Sequence, residues 1–262
     1  MWFILPIIPA GVELRDDSKL TKDHLGKIPG KYTPELNQWG GFYGWQGYQA
    51  KQRDLERWQG WQTKCETGIA IGLRLGIFLA CDIDCDDMAL AAEIEIRVTA
   101  LLGMPFAVRR RHDSARRVMF YVHKLNVTPI TKSRIAFEIL ETGEKCIIEF
   151  LGYGQQVVIE GPNAKGDMHY WQNSVGLIEG LEEGKKLPLE IHDVDKMMRG
   201  LKDWIEVDDR LELIKAKLPI GGVSDAAVAV SDLMSPALRQ GPRAARGRGA
   251  RDRHQSPVAR SL

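Results

Sequence analysis

The sequence predicts a mixed α/β domain, on three observations. Short apolar runs alternate with helical patterns as far as Trp171, which is the order of a sheet layered with helices. No internal repeat breaks that order. The 44% hydrophobic and 27% charged content over 262 residues is that of an ordinary globular chain with room for a substantial core. No apolar run approaches the roughly 20 residues a bilayer-spanning helix needs, so no membrane partner is expected. Cys65, Cys81, Cys85 and Cys146 form no CxxC pair. That spacing argues against a structural zinc site and a disulfide framework, and for a reduced cytoplasm, bacterial or phage-host.

Phe3 to Ile8 reads as the first strand, and the opening residues do not read as a signal peptide. A polar loop rich in Lys, Gly and Pro follows, with Lys22, Lys27 and Lys31. Trp39, Phe42, Tyr43, Trp45, Tyr48, Trp58 and Trp61 then form an aromatic cluster. Its plainer reading is a core packed under the loop; the alternative is a stacking surface for bases. Lys51 to Gln59 is a short helix candidate. Gly68 to Gly72 and Ile77 to Asp84 read as a β-hairpin with Arg74 and Gly76 at the turn.

Asp86 to Leu102 is a helix, with Leu90, Ile94, Val98 and Leu101 as its apolar stripe and Gly103 and Pro105 as its stop. Five arginines between Arg109 and Arg117 precede a strand at Val118 to Val122. They suit either a solvated loop or a phosphate-binding edge. Arg134 to Leu140 and Lys145 to Leu151 read as a strand pair, and Gln155 to Ile159 as a further strand. Trp204 to Leu218 reads as a last helix, with Trp204, Val207, Leu211 and Ile214 at helical spacing. From Ala237 to Leu262 seven arginines stand against one acid, a +6 tail on a −5 body. Residues 235–262 are expected to be disordered.

The chemistry concentrates at Phe78 to Asp87. An apolar run ends in Asp82-Ile83-Asp84, and strand alternation turns both carboxylates to one side. Two adjacent carboxylates repel unless a cation lies between them. Glu149 interrupts the apolar run of a later strand, where a buried acid is costly and therefore points to a function.

Three chemistries use such a stretch. A calcium loop would need glycine where Asp87 stands, after a helix and not a strand. A phosphatase of the DxD type resembles the haloacid-dehalogenase pattern, which wants a small turn residue after the pair and an earlier place in the chain. Two-metal nucleotidyl transfer needs two strand aspartates and a third carboxylate, for which Glu149 is available.

The order of motifs resembles the bifunctional DNA primase/polymerase (Prim-Pol) domain of the archaeo-eukaryotic primase superfamily, in its phage, plasmid or prophage form. The resemblance runs from Leu5 to Trp171. It rests on Pro6, Pro9, Gly26-Lys27-Ile28-Pro29 and Trp39; on Gly68 to Leu73; and on Asp82-Ile83-Asp84. It continues through Ile148-Glu149-Phe150-Leu151-Gly152-Tyr153-Gly154-Gln155-Gln156, then Gly161-Pro162-Asn163, Gly166 and Tyr170-Trp171. Two positions depart from the family pattern. Glu149 stands where aspartate is common, and Ala115-Arg116-Arg117 stands where a Ser/Gly-x-His motif is usual.

The resemblance implies a primase-type fold with an RRM-like catalytic sheet, and a C-terminal helix and tail are expected beyond it. The corresponding division is a catalytic domain over residues 1–180, a helical extension over 181–234 and the Arg-rich tail over 235–262. It further implies template-directed transfer from NTP or dNTP on single-stranded DNA, with two Mg²⁺ or Mn²⁺ ions held by Asp82, Asp84 and Glu149. Arg116 and Arg117 are assigned to the triphosphate, and the basic run to the template. No Walker-type GxxxxGK[ST] is present, so a partner helicase would be a separate protein. The reading from another class is a non-catalytic nucleic-acid-binding replication factor on the same fold.

Overall fold

A computed structural model describes residues 3–65, 68–124, 127–163, 165–183 and 188–219. Its largest element is a seven-stranded antiparallel sheet. In chain order it contains β5 (Phe78–Asp84), β6 (Ala107–Arg111), β7 (Arg117–Val122), β8 (Ser133–Ile139), β9 (Glu144–Leu151), β11 (His169–Trp171) and β12 (Leu211–Lys217). Their spatial order is β11-β6-β7-β5-β9-β8-β12, which puts β5 in the middle. Three strands form a second antiparallel sheet, β1 (Ile4–Ile7), β4 (Ala70–Arg74) and β10 (Gln156–Glu160), with β4 central. The small hairpin β2 (Gly30–Thr33) and β3 (Gln38–Gly41) completes the strands.

Among the described residues four α-helices serve these sheets: α1 (Gln52–Gln62), α2 (Met88–Leu102), α3 (Leu177–Glu183) and α4 (Ile191–Val207). The main core lies between the seven-stranded sheet and the pair α2 and α4. Leu79, Cys81 and Ile83 of β5 meet Leu90, Ile94 and Val98 of α2, and Met197, Met198 and Leu201 of α4. The alternate residues of the same strand face the other way. Ala80, with Val118, Phe120 and Leu151, packs against Leu73, Val157 and Ile159 of the smaller sheet. Both faces of β5 are therefore covered, and this is why its first four residues, Phe78 to Cys81, are apolar without alternation.

The aromatic cluster is a satellite core. Trp39, Phe42, Trp58 and Trp61 are buried there around β2, β3 and α1, and Trp45 and Tyr48 pack on it. Tyr43 alone stays out, 76% exposed. The polar loop contributes β2, which pairs with β3 and brings Tyr32 into this core.

Three expectations are corrected. The predicted hairpin does not form: β4 pairs with β1 and β10, while β5 pairs with β7 and β9. The backbone N–H of Leu75 donates to Gln155, so the chain stays with the small sheet until Gly76 and only then crosses over. The predicted last helix is a helix followed by a strand. Helix α4 ends at Val207, and Asp208, whose carboxylate accepts from Arg210, turns the chain. Leu211 and Leu213 then alternate on β12, which pairs with β8. Finally, residues 191–217 are no appendage after residue 180. Val194, Met197 and Leu201 lie in the main core, and β12 closes an edge of the main sheet. The tail over 235–262 lies outside the described residues.

Helix α2 matches its signals closely. The Asp87 carboxylate caps it by accepting from the Leu90 N–H at 2.7 Å, and Gly103 ends it with φ +81°. Asp84 and the α2 N-terminus are thus separated by a three-residue link, Cys85 to Asp87.

Candidate active site

Register decides the geometry here. On the adjacent antiparallel strands β5 and β9, Asp82 stands directly opposite Glu149, and Asp84 is one pleat further along β5. Directly opposed residues share a face, with Cβ atoms about 5 Å apart. All three carboxylates line one cavity of about 840 Å³ on the face that looks toward the small sheet. Glu149 does not break the apolar pattern of β9. Cys146, Ile148 and Phe150 alternate into the helix-side core, and Glu149 occupies the opposite face, with Lys132 at 2.8 Å and Arg134 at 3.6 Å.

The cavity is rich in cations. Arg116 bridges two acids, 2.6 Å from Asp84 and 2.6 Å from Asp86, and this pairing holds the Asp86 carboxyl below its ordinary range. Strand β6 alternates its three arginines. Arg109 and Arg111 share the carboxylate face, and their charges draw the Asp82 pKa down against the burial that raises it. Burial wins, with help from Asp84 and Glu149, and the Asp82 carboxyl rises to about 6. The same burial lowers the Arg109 guanidinium to about 10. Its Nη1 donates to the Val158 carbonyl, while its buried Nε has no hydrogen-bond partner among the described residues.

Arg110 and Arg117 lie on the other face. Glu95 of α2 binds both guanidinium groups, Arg110 at 2.8 Å, and Arg117 also donates to the Ala115 carbonyl at 2.9 Å. The assignment of Arg117 to the triphosphate is therefore corrected. Although Arg117 borders the cavity, its buried guanidinium is held against the helix layer. Alternation along β7 is the reason: Arg117 pairs with Ile83, and Val118 pairs with Asp82.

Sequence reading missed His169. Strand β11 pairs it with Arg111, so it joins the same cavity wall. Its Nδ1 lies 2.8 Å from the Gly161 carbonyl, and burial together with the neighbouring arginines lowers its pKa to about 4. Lys132 was missed as well. The loop before β8 carries it, and no periodic signal marks a loop lysine as the partner of Glu149.

Hard divalent ions take oxygen donors, and Asp82, Asp84 and Glu149 supply such a set with cationic side chains already drawn to it. The residues fit these ions.

A family model described as bifunctional DNA primase/polymerase, N-terminal, matches residues 2–189, well over half of the chain. The chain belongs to this family. No curated protein and no solved structure matched it. The match extends past both ends of the stretch expected from sequence motifs, and it contains every carboxylate and arginine of the cavity. Helix α4 and β12 fall outside it, yet they complete the core of this Prim-Pol domain. Membership implies activity of the primase/polymerase class, with DNA and nucleotides as substrates in general.

A second cluster lies behind the cavity. Cys85 and Cys146 bring their sulfurs to 2.7 Å, and the Glu144 carboxylate stands 3.8 Å from Cys146. Cysteine spacing hid it, because strand pairing and not local sequence joins residues 61 apart.

Proposed function

We propose that this Prim-Pol domain is a template-directed nucleotidyltransferase that makes primers, or extends them, on single-stranded DNA from NTP or dNTP. The observation that carries this reading is the direct opposition of Asp82 and Glu149, with Asp84 one pleat away, inside a cavity walled by arginines. Asp82, Asp84 and Glu149 would hold two Mg²⁺ or Mn²⁺ ions. When bound, such ions lower the pKa of an attacking hydroxyl and neutralise charge on the triphosphate and pyrophosphate.

The chain's own residues do the rest. Arg116 is placed to exchange its carboxylate partners for phosphate oxygens, a bidentate exchange that a guanidinium makes well. Arg109 and Arg111 extend positive charge along the same wall and fit the remaining phosphates or a template backbone. His169 occupies this wall with its Nδ1 already engaged, in a domain that has no histidine at the usual Ser/Gly-x-His place. The buried layers on both sides of β5 keep the carboxylates at fixed spacing. Replication of a phage, plasmid or prophage element in a bacterial cytoplasm, alongside a replicative helicase, is the setting this reading suits.

The test is primer synthesis on single-stranded DNA with labelled nucleotides and Mg²⁺ or Mn²⁺, comparing wild type with Asp82→Ala/Asp84→Ala. Product from the wild type alone is the expected result. Extension without initiation would make the domain a polymerase only. DNA binding without product from either protein would leave a non-catalytic replication factor.

A further inference from the structure

We propose that Cys85, Cys146 and Glu144 form a structural site for one soft divalent cation of the zinc class, separate from the carboxylate cavity. The β5–β9 register ends at Asp84 opposite Ile147; Cys85, the first residue after β5, then brings its sulfur against that of Cys146 on β9, in the helix-side core. The site therefore sits directly behind the cavity, across the thickness of the sheet. Neither cysteine belongs to the proposed nucleotidyl-transfer machinery.

Three features favour a cation over two ordinary core thiols. The sulfurs stand 2.7 Å apart, between the ~2.05 Å of a disulfide and the ~3.8 Å that two tetrahedral zinc thiolates require. Such closeness calls for a shared ion or a bond. A carboxylate also faces the pair: the ligand atoms of Cys85, Cys146 and Glu144 all lie within 4.8 Å of one another. Among the described residues no cationic side chain pairs with Glu144, and its Oε1 is aimed by the Asp86 backbone N–H at 2.7 Å. That bond is the outer support that holds a ligating carboxylate in orientation.

Burial distinguishes the ion from a redox pair. Cys85 is 1% exposed and Cys146 0%, so a soluble oxidant has no approach, whereas a structural metal is enclosed as the chain folds. The ion would be taken up as the chain folds, and both thiol protons would leave to solvent. The sulfurs would rotate apart by about 1 Å to reach zinc geometry, and water would take the fourth position. The bound ion would tie the β8–β9 turn to the start of α2, immediately behind Asp84.

The experiment is Co²⁺ titration of the full-length reduced protein, followed by the sulfur-to-cobalt charge-transfer band and by displacement with Zn²⁺. One Co²⁺ per chain with that band is expected. The band should persist in Asp82→Ala/Asp84→Ala, which separates this site from the cavity and from the fate of the functional reading. It should vanish in Cys85→Ser and in Cys146→Ser, and Glu144→Gln should weaken Co²⁺ about tenfold or more. No sulfur band from a wild type with four free thiols would overturn the proposal in favour of plain core cysteines. A purified chain lighter by two hydrogens and binding no Co²⁺ would overturn it in favour of a disulfide. Should the serine variants fail to fold, wild type and Glu144→Gln still decide.

Discussion

Asp82 carries two opposite dependences on pH. Its folded pKa of about 6 is above the ordinary carboxylate value because burial penalises the charge. A raised acid costs stability once ionised, so the metal-free protein should lose stability as pH rises from about 4 through 6. Asp82→Asn should therefore stabilise the metal-free protein at pH 7.5 in EDTA, by on the order of 2–3 kcal/mol, read as a higher melting temperature, with the gap closing near pH 4. Divalent binding runs the other way, because it needs the ionised form. Mn²⁺ affinity of the wild type should fall as pH drops below about 6, read by titration of the ion's paramagnetic signal.

The two arginines assigned together from sequence should separate in experiment. Arg116→Ala should fold normally and raise the KM for nucleotide about tenfold or more, since it removes a charge-assisted phosphate contact. Arg117→Ala should leave KM near wild type and lower the melting temperature, because it strips a buried partner from Glu95. Equal effects on KM would refute the division of faces. The sequence showed the acids and the basic run plainly, since charged residues at a strand end stand out. Which arginine faces the acids depends on where β7 begins, and a one-residue shift reverses every side chain.

At the level of elements, the same limit explains what was legible. Helix α2 could be read end to end because capping and stop signals are local. The partners of β4 and the split between α4 and β12 could not. Leu211 and Ile214 fit a helical period, and only the edge of β8 gives Leu211–Lys217 a strand to pair with. A chain ended after Asp209 should accordingly be destabilised, with Leu211 and Leu213 no longer covering the core. Gly152 offers a sharper test of how tightly β9 is seated. A Cβ there would collide with the Ile130 backbone carbonyl, which cannot yield as a flexible side chain would. Gly152→Ala should lower the melting temperature while the more open Gly154→Ala, strained only by its φ of +78°, should cost about 1 kcal/mol.

For the whole molecule, charge is divided along the chain. Removing residues 235–262 takes the net charge from +1 to −5. Affinity for single-stranded DNA should fall, and its dependence on salt should flatten, because fewer counterions are released on binding. Filter binding at several salt concentrations would measure both; an unchanged slope would mean the tail does not touch the strand.

The position of β5 has a consequence for how the protein comes apart. It is the fourth of seven strands, bonded on both sides and covered on both faces. Fraying starts at edges such as β11 and β12, and reaches the middle of a sheet last. The backbone amides of Asp82 and Ile83 should thus exchange with deuterated water only when the entire domain opens. The carboxylates would then keep their spacing through every partial opening, and loss of the site would coincide with loss of the fold.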